Sequence, residues 1–283
     1  MAARSYLYVP GDDPRKLAGA SARGADALII DLEDAVPPDR KAYARDLVRR
    51  WLSAPPPGTE IWVRVNDGEA READTAAVAE AGGAAGLCLA KVRDPREALA
   101  VSRQLDRLGS PLALAPVLET PAAVLDARAV AEVPRVVRLH LGEADLRAEL
   151  GIEPAADERE LLWLRSLVVT VSAAAGIEPP PAPVSTDFRD TDALTRTTRA
   201  LKRLGFRGRA CIHPAQVPVV NAVFTPTADE LRRAERLVAR FSANGAGAGL
   251  DEDGRMIDEA VVRTARRVVQ WGRTAGTAEA APH

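Results

Sequence analysis

The chain has 283 residues, of which 47% are hydrophobic and 28% charged, and its formal net charge is −2. This length is enough for one large α/β domain with a substantial core. A near-neutral charge without long blocks of one sign argues against a nucleic acid or a membrane surface as partner. No run approaches the roughly 18 apolar residues that a membrane span needs, and the first residues lack an apolar signal segment, so we expect a cytoplasmic protein.

Short apolar runs recur along the chain and are typical of buried strands, with helix-length segments between most of them. Strands alternating with helices indicate parallel βαβ units, and eight such units favour a closed (β/α)8 barrel over an open sheet. The eight predicted strands cover residues 5–9, 27–31, 61–65, 86–90, 112–117, 137–141, 183–185 and 209–212.

The last part of the chain departs from this alternation. Thr227, followed three residues later by Glu230, predicts a capping box at the start of an amphipathic helix. A stretch rich in glycine and alanine comes next, and a second amphipathic helix follows it. We therefore predict a catalytic barrel over residues 1–241, a flexible linker and a lid or arm helix over 242–273, and a disordered tail over 274–283.

The cysteines and histidines do not form a pattern typical of a zinc site. Cys88 and Cys211 each lie in an apolar run, which predicts two buried thiols rather than a disulfide. The three histidines are scattered along the chain. Any bound metal is therefore expected to be a hard cation with oxygen ligands.

Charged residues follow the carboxyl ends of several predicted strands, where barrel enzymes gather their catalytic groups. Glu119 and Asp145 follow neighbouring strands, and two carboxylates there suit Mg²⁺; alternatively, each caps a helix or pairs with an arginine. Arg64 could bind a substrate carboxylate bidentately, or form an ion pair with acids of the second strand. Lys91 could form a Schiff base with a carbonyl substrate, although we favour a role as partner of the same acids.

Three further sets of residues each allow more than one interpretation. Asp31, Glu33 and Asp34 follow one strand and cannot all be buried without cations, so some of them must support other groups. His213 could contact a ligand or form a hydrogen bond within its turn. Asp258, taken alone, indicates only an acid at the start of a helix.

In eight segments that occur in the family's order, the chain resembles the citrate lyase beta-subunit-like branch of the HpcH/HpaI aldolase superfamily. The resemblance extends to about Trp271, and it lies in RSYLYVPGDDPRKL, GADALIIDLEDAV, WVRVN, PVLET, LGEADL, STDFRD, GRACIHPAQVPVVNAVFTP and DGRMIDEAVV. It implies a Mg²⁺-dependent (β/α)8 enzyme that cleaves or forms a carbon–carbon bond beside a CoA thioester. The expected substrates are malyl-, citramalyl-, citryl- or related 3-hydroxyacyl-CoA esters, which yield a 2-oxo acid and an acyl-CoA.

The resemblance also assigns roles to individual residues. Glu119 and Asp145 are the implied metal ligands and line the substrate site together with Arg64, the clamp on the oxo-acid carboxylate, and Ala144. Asp258 is the implied general base, delivered by the adjacent subunit of a trimer or hexamer.

Two further assignments concern the ion network and CoA. Glu33 is the third catalytic candidate, beside Asp258 and Arg64. Arg4 and Lys16 are the candidates for binding the phosphates of CoA near the first βα loop.

Three departures from the family pattern leave the substrate open. The family's usual Pro-Lys with a nearby acid is here Ala90, Lys91 and Arg93, and Glu149 stands where aspartate is common. The acidic-Gly start of the seventh strand is replaced by PPPAPVST. Two alternatives to the lyase are a malyl-CoA-type thioesterase and a non-catalytic subunit that binds the oxo acid or CoA; the presence of the proposed catalytic residues argues against the latter.

Overall fold

The computed structural model describes residues 3–243, 249–251 and 254–279, the last seven of these by their backbone. The chain forms two compact units that divide between Asn221 and Ala222.

The first unit is an α/β fold built on a curled sheet of seven parallel strands, in the order β6-β5-β4-β3-β2-β1-β7. Strands such as β2 are buried along their whole length, which explains their continuous apolar sequence. The strands are β1 Ser5–Pro10, β2 Ala27–Asp31, β3 Glu60–Val65, β4 Gly86–Leu89, β5 Ala113–Leu118, β6 His140–Leu141 and β7 Arg209–Cys211.

Seven of the eight predicted strands are therefore confirmed, and the prediction of a strand at residues 183–185 is wrong. Three consecutive prolines precede this segment, and proline has no N–H group to donate to a neighbouring strand. The residues just before it, 178–182, make two backbone contacts with neighbouring segments. Ala182 forms one isolated parallel bridge with Arg209, and the N–H of Glu178 donates to the carbonyl of Val137 at 2.8 Å.

Helices connect the strands, and several begin directly after a strand with a side-chain cap. Asp13, Asp94 and Thr120 each accept a backbone N–H at the start of a helix whose first residue is proline. Among the described residues, no helix combines the length and the apolarity needed to cross a bilayer. The helices are α1 Pro14–Ala18, α2 Lys41–Leu52, α3 Ala70–Ala81, α4 Pro95–Arg107, α5 Pro121–Leu125, α6 Ala127–Ala131, α7 Glu143–Leu150, α8 Leu162–Ala174, α9 Thr191–Leu204, α10 Gln216–Phe224, α11 Ala228–Ala243 and α12 Glu259–Glu279.

Aromatic residues and one arginine fill the space enclosed by the curled sheet. The guanidinium of Arg138 lies over the rings of Tyr6 and Trp62, at 5.1 and 4.6 Å. It also forms ion pairs with Glu178 at 2.7 Å and Glu60 at 3.1 Å. This cluster packs the interior of the curled sheet.

Both cysteines are free and buried, as predicted. Burial raises the pKa of the Cys88 and Cys211 thiols to about 12, so both thiols are protonated at neutral pH.

In the second unit, α11 and α12 pack together around Phe241, Ile257 and Val262. A short antiparallel hairpin, β8 Gly249–Leu250 and β9 Met256–Ile257, lies between the two helices in sequence. Part of the predicted linker, residues 244–248 and 252–253, and the end of the predicted tail, residues 280–283, lie outside the described residues.

The predicted capping box at the start of α11 is confirmed. The N–H of Thr227 donates to the Glu230 carboxylate at 2.8 Å, and the N–H of Glu230 donates to the Thr227 hydroxyl at 3.1 Å. We expect Thr227→Ala to destabilise this helix end by about 1 kcal/mol and to speed hydrogen exchange in its first turn about fivefold. Ser242→Ala, which removes a hydroxyl bonded within the same helix, is the control; equal exchange in both variants would contradict the prediction.

Candidate active site

A cavity of 390 Å³ lies among the carboxyl ends of the strands in the first unit. The predicted site residues Arg64, Glu119, Ala144 and Asp145 all line it. They come from β3, the end of β5 and the start of α7, because parallel strands deliver their following residues to one edge of the sheet.

Glu119 supplies a buried carboxylate at one wall of the cavity. Glu119 is only 3% exposed, and the backbone N–H of Lys91 donates to its Oε1. Burial, together with the negative charges of Asp145 and Glu33, raises the pKa of Glu119 to about 8. A carboxylate in this environment is stabilised when a cation binds beside it.

Gly142 allows the Glu119 side chain to occupy this position. A Cβ at residue 142 would lie 2.4 Å from the Cβ of Glu119 and 2.7 Å from its Oε2. Glycine is therefore the residue that leaves room for the carboxylate here.

We expect Gly142→Ala to displace the Glu119 carboxylate. The overpacking costs about 1 to 3 kcal/mol of unfolding free energy, and the misplaced ligand lowers kcat/KM about 100-fold. Gly19→Ala is the control, since a Cβ there lies 3.6 Å from its nearest neighbour. Chemical denaturation and steady-state kinetics measure both effects, and an unchanged kcat/KM in Gly142→Ala would contradict this account of the wall.

Lys91 joins Glu119 to the acids after β2. Its φ of +50° is in the left-handed region, where its N–H meets Glu119. Its Nζ donates to Glu33 at 2.5 Å and to Asp34 at 3.4 Å. The hydrogen bond that Lys91 donates to the Glu33 carboxylate raises the pKa of Lys91, so the amine is protonated at neutral pH. A protonated amine is not a nucleophile, and the structure therefore supports the ion-partner interpretation over the Schiff base.

Arg64 is held by the same acidic segment. Its Nε and Nη2 donate to the Asp31 carboxylate at 2.7 and 2.6 Å. The guanidinium carbon lies 5.0 Å from the centre of the Tyr8 ring. Its Nη1 makes the longer contacts, 3.1 Å to Glu33 and 3.4 Å to Asp34. Both interpretations of Arg64 are thus compatible: two of its nitrogens form a structural ion pair, and Nη1 is the donor best able to turn to a substrate.

Asp31 and Glu33 are both buried and both depend on this network. Backbone N–H groups of Glu33 and Ala35 donate to the Asp31 carboxylate at 2.9 and 3.1 Å. Burial raises the pKa of Glu33, even though Lys91 and Arg64 lie beside it. The network therefore keeps two acids close to the cavity at the cost of desolvating them.

The pair formed by Glu119 and Asp145 fits a magnesium ion. Asp145 is exposed in the first turn of α7, so a cation between the two carboxylates would also reach water. Within the described part of the chain, no set of three or more His, Cys, Asp or Glu side chains forms a metal site. Two carboxylates with open positions for water and substrate match Mg²⁺ rather than a zinc-type ion.

The remaining predicted residues lie elsewhere. Arg4 precedes β1, at the amino ends of the strands and so opposite the cavity, and its guanidinium is paired with Asp26 at 2.8 Å. The assignment of Arg4 to the phosphates of CoA stays a prediction, and this ion pair argues against it. Lys16 is exposed on α1, which follows the carboxyl end of β1. Asp258, in the second unit, accepts the N–H of Val261 at 2.9 Å and caps α12.

His213 does not line this cavity. Its Nδ1 accepts the N–H of Ala215 at 3.1 Å, and its ring stacks on Phe188 at 4.3 Å. These contacts match the turn-forming alternative.

Sequence reasoning missed Glu143 and two polar strand residues of the cavity, Tyr8 and His140. Tyr8 lies two residues after the interior residue Tyr6, and His140 two residues after Arg138, so the two-residue period of a strand could have identified both. It also missed the apolar wall from residues 181–184, because residues 183–185 were assigned to a strand.

Comparisons with known proteins agree with this geometry. The model of the HpcH/HpaI aldolase/citrate lyase family matches residues 4–214. The chain is 33% identical over 288 residues to the mitochondrial citramalyl-CoA lyase of Rattus norvegicus, covering 94% of this chain and 85% of that protein. It is 35% identical over 271 residues to a (3S)-malyl-CoA thioesterase of Cereibacter sphaeroides, covering 94% and 93%.

A solved structure is similar over nearly the full length. The crystal structure of protein CitE from Mycobacterium tuberculosis, in complex with magnesium, acetoacetate and coenzyme A, superposes with a TM-score of 0.80 at 27% identity. The match covers 95% of this chain and 97% of that chain.

Proposed function

The chain belongs to the HpcH/HpaI aldolase/citrate lyase family, and on this premise we propose that it is a CoA-ester lyase. The reaction converts a 3-hydroxyacyl-CoA of the malyl, citramalyl or citryl type into a 2-oxo acid and an acyl-CoA, or runs in the condensing direction. The proposal rests on one observation: a buried Glu119, an exposed Asp145 and Arg64 line the same cavity.

Glu119 and Asp145 are the proposed ligands of Mg²⁺. The related CitE structure contains magnesium, which supports this choice. When bound, the ion supplies Lewis acidity that favours ionised oxygens on the substrate.

Arg64, Ala144 and Asp258 complete the proposed site. Arg64 binds the carboxylate of the oxo-acid half through Nη1, while Asp31 keeps the guanidinium oriented. Ala144 lines the cavity directly before Asp145, and its small side chain leaves space for the substrate. Asp258 takes the proton of the substrate hydroxyl as the carbon–carbon bond breaks, and the resulting acyl-CoA enolate is then protonated at carbon.

Glu33 and Lys16 have proposed roles at a distance from the breaking bond. Glu33 acts through Lys91 and Arg64, which it holds beside the cavity. Lys16 binds a phosphate of CoA, since its ammonium is exposed at the same end of the sheet as the cavity.

The finer architecture is also a proposal. We propose that residues 178–184 take the place of a seventh barrel strand, because this segment bonds to Val137 on one side and pairs with Arg209 on the other. The second unit is then the arm of a cytoplasmic homotrimer or hexamer that delivers Asp258 to a neighbouring subunit.

The proposed function is tested with a panel of malyl-, citramalyl- and citryl-CoA, with and without EDTA. We expect mass spectrometry to find a 2-oxo acid and an acyl-CoA in the presence of Mg²⁺, and no turnover after chelation. Borohydride should trap no substrate carbon on Lys91. Trapping on Lys91 with activity that survives EDTA would contradict the metal-dependent mechanism.

A thioesterase is the second candidate, since several relatives are named (3S)-malyl-CoA thioesterase. Free hydroxy acid and CoA as products would identify hydrolysis, whereas the lyase releases the oxo acid. A non-catalytic binding subunit would give neither product, and calorimetry with Mg²⁺ and an oxo acid would measure its binding.

A further inference from the structure

The cavity has two walls of opposite chemistry. One wall carries the charged groups Arg64, Glu119 and Asp145. The other consists of hydrocarbon and is formed by Pro181, Ala182, Pro183, Val184, Ala210 and Ile212.

Cations are scarce at this cavity. Arg64 is the one positively charged side chain that lines it among the described residues. Nearby, the Nζ of Lys41 donates to the carbonyl oxygens of Leu32 and Glu33 at 2.9 and 2.6 Å. Lys91 is held by Glu33 and Asp34. These contacts leave one cation, Arg64, for a substrate carboxylate.

The remaining polar lining residues do not supply a second positive charge. Burial, with the positive charges of Arg138 and Arg64, lowers the pKa of His140 to about 3, so its ring is neutral. Glu143 carries a carboxyl group that already accepts two hydrogen bonds from Arg165, at 2.6 and 2.8 Å. A second substrate carboxylate would therefore meet no further cation among the described residues that line this cavity.

We propose that this site selects substrates whose oxo-acid half carries a single carboxylate and a short alkyl group, and that it rejects a second carboxylate on that half. The inference rests on the proposed function and adds its substrate class. The shared carboxylate and oxo group of all 2-oxo acids engage Arg64 and the metal site, so only the substituent distinguishes them. An alkyl substituent gains from burial against Val184 and Ile212, whereas an unpaired carboxylate loses its hydration there.

Binding and turnover test this inference separately from the lyase proposal. With Mg²⁺ present, calorimetry on the full chain is expected to show pyruvate and 2-oxobutanoate binding at least about 100-fold more tightly than freshly prepared oxaloacetate. Oxaloacetate binding within tenfold of pyruvate would overturn the inference, whether or not any CoA ester is cleaved. Absence of carbon–carbon cleavage, together with selective binding of the alkyl acids, would overturn the lyase proposal alone.

A matched pair of variants checks the location of the selectivity. Ile212 is 43% exposed, so a longer side chain can be accommodated there. Ile212→Arg is expected to improve oxaloacetate binding about tenfold by supplying the missing cation. Ile212→Met introduces an unbranched side chain as Ile212→Arg does, but without a charge. It should keep the wild-type preference for pyruvate over oxaloacetate. The same preference in both variants would overturn the assignment to this wall.

Discussion

Replacing Glu119 by glutamine is expected to lower the rate of carbon–carbon cleavage at least about 1000-fold while the fold is kept. The amide preserves the shape of the side chain but removes the negative charge that binds the cation, and metal stabilisation of developing charge accounts for several kcal/mol. Because burial raises the pKa of Glu119 to about 8, its carboxyl is largely neutral in the metal-free protein at neutral pH, and the neutral amide should not destabilise that form.

Two measurements distinguish this loss from a general defect. Calorimetry should find weaker Mg²⁺ binding in Glu119→Gln, and thermal denaturation in EDTA should find it at least as stable as the wild type. Glu72→Gln, an exposed substitution of the same kind on α3, should change neither. Normal turnover in Glu119→Gln would refute the proposed metal site.

Replacing Arg64 by methionine is expected to cost about 3 to 5 kcal/mol of unfolding free energy, in addition to substrate binding. The substitution leaves the carboxylates of Asp31 and Glu33 buried without this cation. Burial already raises the pKa of Glu33, so the penalty for its charge is present at high pH and disappears as falling pH protonates it. The variant's loss of stability should therefore be larger at pH 8 than at pH 5.

Urea unfolding at the two pH values measures this effect. Arg96→Met removes an exposed arginine that pairs with Asp94, and it should change the unfolding free energy by less than about 0.5 kcal/mol. Equal losses in the two arginine variants, or a loss in Arg64→Met that is independent of pH, would show that the network contributes little.

The buried strands and the carboxylates that follow them were predictable for a simple physical reason. A parallel strand covered on both faces must be apolar along its length, so runs such as Ala27–Asp31 are distinct in the sequence. The charge that ends such a run lies at the edge where the site forms, which is why Arg64, Glu119 and Asp145 could be named in advance.

The conformation of residues 183–185 and the position of Arg4 relative to the first loop could not be predicted in the same way. The run at residues 183–185 has the composition of a strand, but the prolines before it remove the donors that pairing requires. Arg4 lies near the first loop in sequence, yet a strand of six residues separates it from that loop in space.

The sequence by itself determined the order of the strands, the family resemblance and the acids at the carboxyl ends, because these depend on local pattern and chain direction. Only the tertiary structure decided which acid each cation contacts, as Lys91 contacts Glu33, and how closely Gly142 approaches Glu119. It alone also placed an apolar wall opposite the carboxylates. Such contacts join segments far apart in the chain, and their energies depend on distance and burial, which no local pattern records.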